Sequence, residues 1–190
     1  MRSGEHHERI EVESRSELRD WLRTNHRQSE SVWLVRFKRP DPRYVSYDDL
    51  VEECLCWGWV DSLPRKLDEL RVMTRISPRR AKSAWSGLNK RRVEEMEAAR
   101  LMTAAGRRVV DAAKANGMWT FLDDVERLEV PPDLAEALDA AGGRKAWDAF
   151  PPSTKRGILE RVKQAKRPET RRQRIDEVAS KAARGERAFA

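Results

Sequence analysis

SVWLVRFK, residues 31–38, alternates along its length: Trp33, Val35 and Phe37 fall on one side, and Val32, Leu34 and Arg36 on the other. A period of two in large apolar and β-branched residues is the pattern of a strand, so this chain is not all-helical. Trp59, Val60 and Asp61 begin a second strand. After Pro64, residues 66–76 (KLDELRVMTRI) set Leu70, Val72, Thr74 and Ile76 against Glu69, Arg71, Met73 and Arg75. These last two segments predict an antiparallel hairpin.

Helix signals lie between the strands. Ser14 and Glu17 have capping-box spacing ahead of Leu18, Trp21 and Leu22, and Asn25 is a stop. Ser46 and Asp49 repeat that spacing ahead of Tyr47, Leu50, Val51, Cys54 and Leu55, which share one helical stripe, and Gly58 ends the segment. Beyond Pro78 no alternating segment remains. Thr103, Asn116-Gly117, Pro131-Pro132, Gly142-Gly143, Pro151-Pro152 and Pro168 punctuate a helical region. Pro132 fits a helix first turn, Ser153 is positioned to cap the helix carrying Ile158, Leu159 and Val162, and Gly185 fits a helix end. The expected class is α+β, with a small N-terminal antiparallel sheet and two helices followed by an all-helical C-terminal half. The expected division is 1–80 and 81–190.

With 190 residues the chain has room for one domain or two small ones. Charged residues make up 37% of it, but seven Trp argue for a packed core rather than disorder. No run approaches the ~20 apolar residues that cross a bilayer, and residues 1–17 lack the apolar stretch of a secretory signal, so a cytoplasmic protein without membrane insertion is expected. The net charge of +7 is uneven. Residues 1–150 hold 27 basic and 27 acidic side chains, whereas residues 151–190 hold 12 and 5. A second excess lies in residues 63–92, where ten basic residues face only Asp68 and Glu69. Such patches attract phosphorylated ligands or nucleic acid, or else form a solvated helix face.

Familiar catalytic signatures are missing. His6 and His7 lie near the N-terminus and His26 follows the first helix, away from the charged clusters. There is no H-E-x-x-H, G-x-S-x-G, P-loop or G-x-G-x-x-G, and Cys54 and Cys56 have no His or Cys partners nearby. No catalytic residue, metal or cofactor is assigned. An enzyme with an unfamiliar carboxylate site is retained as an alternative.

The densest chemistry is SPRRAKSAWSGLNKRR, residues 77–92. Arg79, Arg80 and Lys82 supply charge beside a helix start that Ser83 or Ser86 can cap. The unpaired N–H groups of a first helical turn suit an anion. Trp85 offers a ring on which a base could stack, and Asn89 lies one turn after Ser86. Equally, Trp85 fits a core anchor and Asp61 a partner for Arg79 or Arg80, which would turn the patch into an internal ion pair. In AKRPETRRQRI, residues 165–175, Lys166, Arg167, Arg171 and Arg174 crowd one helix junction, with Glu169 favourably placed in the first turn after Pro168. This second cluster has no interleaved aromatics, so it supports nonspecific electrostatic contact with nucleic acid at most.

Three stretches, YDDLVEECLCWGWVDS (47–62), SPRRAKSAWSGLNKRRVEEM (77–96) and PPSTKRGILERVKQAKRPETRRQRI (151–175), occur in an order and spacing that resembles the bacterial YdeI/OmpD-associated (OmdA) family of bacteriocin-protection proteins. The resemblance spans most of residues 15–187, with residues 131–190 similar to the domain named for that family. It implies recurrent positions at Cys56, Gly58, Trp59 and Asp61, then Arg79, Lys82, Ser83, Trp85, Ser86 and Asn89, then Lys166, Arg167, Pro168, Glu169, Thr170 and Arg171. Trp57 stands where Phe is expected. It implies no catalytic mechanism or cofactor, and the family's name records links to tolerance of antimicrobial peptides and to an outer-membrane porin, leaving the protein partner of this chain open. The expected function is stress protection through a small anionic or phosphorylated ligand, with nucleic-acid binding by the basic C-terminal helices as the alternative.

Overall fold

The structure is a computed structural model describing residues 8–189. His6 and His7 lie outside the described residues. The chain divides into two compact units, Met1–Thr120 and Phe121–Ala190.

The first unit runs β1 (Arg9–Val12), α1 (Arg15–Asn25), β2 (Val32–Phe37), α2 (Tyr47–Cys56), β3 (Trp59–Lys66), β4 (Arg71–Pro78), α3 (Gly87–Ala98) and α4 (Ala104–Ala115). Its sheet has the order β1-β2-β4-β3. β4 pairs antiparallel with both β2 and β3, as the alternation implied. β1 is an addition. It pairs parallel with β2, and α1 provides the crossover that a parallel pair needs.

The hairpin turn lies at residues 67–70 rather than at Pro64. Asp68 Oδ1 closes it by accepting from the backbone N–H groups of Leu70 and Arg71 at 2.9 and 2.7 Å. Pro64 sits inside β3 beside a register irregularity, which an edge strand tolerates because no interior ladder bond is lost.

Both faces of β2 are buried. Val32 and Leu34 join Leu18 and Leu22 of α1, Leu50, Val51 and Leu55 of α2, and Ile76 of β4 in the main core. Trp33 and Val35 form a smaller cluster with Met73 on the opposite face. α3 and α4, which the sequence expectation assigned to the helical region from residue 81, contribute Val93, Met96, Val110 and Ala113 to the main core.

Polar groups fix the helices of this unit. The two expected caps form: Ser14 accepts from Glu17 N–H, and Ser46 and Asp49 make a reciprocal capping box. Glu53, only 1% exposed, accepts from Arg15 Nε and Arg19 Nη1, each at 2.8 Å, tying α1 to α2. At the far end of α2 the Cys56 carbonyl accepts from the Thr103 hydroxyl at 2.6 Å and its backbone N–H at 3.2 Å. Thr103 also caps α4, so the two helix ends meet through one residue.

The second unit contains α5 (Asp123–Glu126), α6 (Pro132–Ala140), α7 (Arg144–Ala149), α8 (Pro152–Lys163) and α9 (Pro168–Ala183). Leu134, Leu138, Trp147, Ile158, Leu159, Val162, Ile175, Val178 and Ala182 are buried. Ser153 does not cap α8. Pro151 occupies the cap position and Pro152 begins the helix, where a fixed φ and a missing N–H suit the first turn. No helix among the described residues is long and apolar enough to cross a membrane.

Gly106 sets how closely α4 approaches α2. A Cβ there would lie 2.4 Å from the Cys56 carbonyl oxygen and 2.7 Å from that of Leu55, both backbone atoms. Gly106→Ala is expected to lower stability by about 2 kcal/mol, read as a fall in the urea midpoint at unchanged m-value.

Candidate anion-binding site

Arg79 follows β4 directly, and its backbone N–H donates to the Gly58 carbonyl at 2.9 Å, holding it against the start of β3. The side chain is 9% exposed. Its guanidinium carbon lies 3.7 Å from the centre of the Trp85 ring, and Nη2 donates to the Ala84 carbonyl at 2.7 Å. Nε and Nη1 are buried without any acceptor. Burial pulls this guanidinium down to about 10, against the opposing pull of Asp61. Among the described residues no carboxylate forms an ion pair with it.

Asp61 is the acid that the sequence offered as an internal partner, and it is engaged elsewhere. It accepts a short hydrogen bond from the Tyr47 hydroxyl. Burial, and then the Asp61 charge, push the Tyr47 phenol up to about 12, so it remains a neutral donor at physiological pH. Tyr47 itself follows the cap of α2, a placement that the amphipathic stripe explained as packing alone.

Arg36 is a second buried guanidinium on the α2-facing side of the sheet, 5% exposed. Its Nη1 donates to the Val45 carbonyl at 2.7 Å, its carbon lies 5.9 Å from the Tyr47 ring centre, and its Nε has no partner. Desolvation lowers its pKa, opposed by nearby Tyr44, Tyr47, Cys54 and Asp49.

The remaining predicted residues divide by location. Trp85 is 1% exposed, bracketed by Arg79 and by Trp119, whose ring centre is 5.0 Å away. No face of its ring is open, which overturns the expected stacking surface for a base. The indole serves instead as the shelf beneath Arg79. Ser86 is the N-cap of α3, accepting from the Asn89 backbone N–H at 3.3 Å. Ser83 is half-buried in the preceding turn, where its N–H donates to the Arg80 carbonyl. Arg80 and Lys82 are exposed, with no carboxylate partner among the described residues. Arg92 is ion-paired with Asp48.

In the second unit Arg171 donates Nε and Nη2 to the two oxygens of Asp133 at 2.7 and 2.8 Å, and Arg174 donates to the Arg161 carbonyl. Both hold helices together. Lys166 and Arg167 are exposed and have no carboxylate partner among the described residues. Clefts of about 450, 360 and 420 Å³ lie elsewhere, and of the predicted residues Arg171 lines the second.

Residues 127–185 match the family described as "Bacteriocin-protection, YdeI or OmpD-Associated". Over those residues, under a third of the chain, the sequence is similar to the YdeI/OmpD-associated family. Residues 10–109, just over half of the chain, match a domain of unknown function (DUF8412), and the chain belongs to that family. No curated protein and no solved structure matches it. The DUF8412 match covers the sheet and Arg79, and the YdeI/OmpD-associated match covers most of the helical unit.

No group of three His, Cys, Asp or Glu among the described residues is arranged to hold a metal. Cys54 and Cys56 are both buried and unbridged. Burial drives the Cys54 thiol well above its ordinary value, and burial with the Glu53 charge pushes Cys56 up to about 11, Arg19 opposing. At pH 8 the thiolate fraction of Cys56 is then about a thousandth. Iodoacetamide is expected to leave both thiols intact in the native protein and to alkylate both in urea, as counted by mass spectrometry.

Proposed function

We propose that this protein acts by binding rather than catalysis, and that its ligand is a small anionic or phosphorylated molecule held at Arg79. The observation carrying this reading is the buried guanidinium with two unaccepted nitrogens and no carboxylate counterion. A buried charge without its hydrogen bonds opposes folding, and replacing such a group by an apolar one is commonly neutral or stabilising. An anion reaching Arg79 supplies both the missing acceptors and the counter-charge. Exposed Arg80 and Lys82, on the loop between Arg79 and the N-terminus of α3, add attraction for the approaching ligand.

The family description supports a protective role against bacteriocins, and such a protein would act in the cytoplasm by sequestering or sensing its anionic ligand. The basic residues of α9 favour a nucleic-acid partner less, because Arg171 and Arg174 already bond within the unit.

Arg79→Met separates a ligand-binding arginine from a structural one. Titration with inorganic phosphate, pyrophosphate and adenosine monophosphate by calorimetry is expected to give binding in the wild type and none in the variant. The variant's urea midpoint is expected to equal or exceed that of the wild type. A variant that loses stability while still binding these anions, or a wild type that binds none of them, overturns the proposal.

A further inference from the structure

The sheet carries a second positive surface on the face turned away from α1 and α2. Ile10 and Leu34 are register partners that pack in the main core, so the alternate partners Arg9 and Trp33 stand on the opposite face. Across the other edge of β2, Trp33 is the register partner of Arg75. Arg65 of β3 pairs with Met73, a neighbour of Trp33 in the outer cluster, and its guanidinium carbon lies 4.8 Å from the Trp33 ring centre. Three arginines on three different strands therefore surround one indole. With strands ~4.8 Å apart, the backbones of Arg9 and Arg75 stand ~10 Å apart on either side of it.

The same face shows what neutralised arginines look like. Phe37, four residues along β2, is covered by Arg43 at 3.6 Å and pairs in register with Arg71. Arg43 is ion-paired with Asp41 and Glu13, and Arg71 with Glu11 and Asp68. At the Trp33 end the described residues hold no equivalent. Among the described residues Arg9, Arg65 and Arg75 have no carboxylate partner, and Arg75 Nε reaches only the Ser62 hydroxyl at 3.3 Å.

From this asymmetry we infer that the Arg9–Trp33–Arg65–Arg75 cluster is a docking surface for single-stranded nucleic acid. Guanidinium groups on separate strands match successive backbone phosphates, and the planar Arg65 guanidinium lying on Trp33 is a cationic shelf on which a base stacks. The guanidinium-over-indole arrangement favours nucleic acid over an acidic peptide, whose carboxylates need charge but no shelf. Recognition of this kind is insensitive to sequence, because every base presents a flat face. It is independent of the Arg79 recess, which lies at the end of β4 beside α3.

The test uses the full chain and two fluorescein-labelled 15-mers, oligo(dT) and oligo(U), followed by anisotropy at rising salt. Three phosphate contacts predict a slope of log K against log salt of about −2. Arg65→Ala with Arg75→Ala should weaken binding about tenfold or more and flatten that slope, while Arg9→Ala, at an exposed position, should flatten it by about 0.7 without altering the fold. Far-UV circular dichroism checks each variant, and Arg65→Lys with Arg75→Lys, which keeps charge but loses the planar shelf, should bind with an intermediate affinity. Lys166→Ala with Arg167→Ala should bind as the wild type does. Loss of binding in that variant alone, retention in the Arg9 and Arg65/Arg75 variants, or a preference for poly-glutamate over both oligonucleotides overturns the inference.

Discussion

Burial of β2 on both sides is the constraint from which the first unit follows. A strand with one wet face needs helices on one side only, but here Val32 and Leu34 seat the helices while Trp33, Val35 and Phe37 require cover of their own. Among the described residues of this unit, no helix contributes to that cluster. The cover comes from arginine side chains placed over aromatic rings, Arg65 over Trp33 and Arg43 over Phe37. Long charged side chains can shield apolar surface while keeping their heads in water, which makes a basic composition part of how this sheet is closed. Charge and core are thus linked, and the excess of arginine is not simply solvated decoration.

The opposite face shows the reverse arrangement. Arg79 and Arg36 are drawn beneath the surface, and Trp85 acts as a floor rather than a platform. Asp61 is close enough to influence Arg79 electrostatically, but its hydrogen bond is with Tyr47. That division of partners leaves one group satisfied and the other short of acceptors.

Alternation and capping made much of the fold legible. The two sides of SVWLVRFK are the two faces of β2, both early capping signals form, and the antiparallel pairing of β3 with β4 is present. β1 was hidden because RIEV mixes two apolar with two charged residues in four positions, too short a run to show a period. The hairpin turn was misplaced because proline is a strong breaker in sequence, yet an edge strand tolerates it. Arg79 stood out through its neighbours, but burial of Trp85 depends on Trp119, thirty-four residues away, and no local pattern reports that. The cluster around Trp33 was missed for a similar reason. Its arginines come from three strands and converge only through sheet register, although the outward set of the β2 alternation already named the indole.

The joint between α2 and α4 sets when folding can finish during synthesis. The last carbonyls of α2 meet Thr103 and Gly106, so the helix that seals the sheet has its own end sealed by residues made some fifty positions later. A nascent chain that has released every strand still carries an open α2 terminus until α4 leaves the ribosome. The interval between those two events is when this half is most exposed to chaperones and to aggregation.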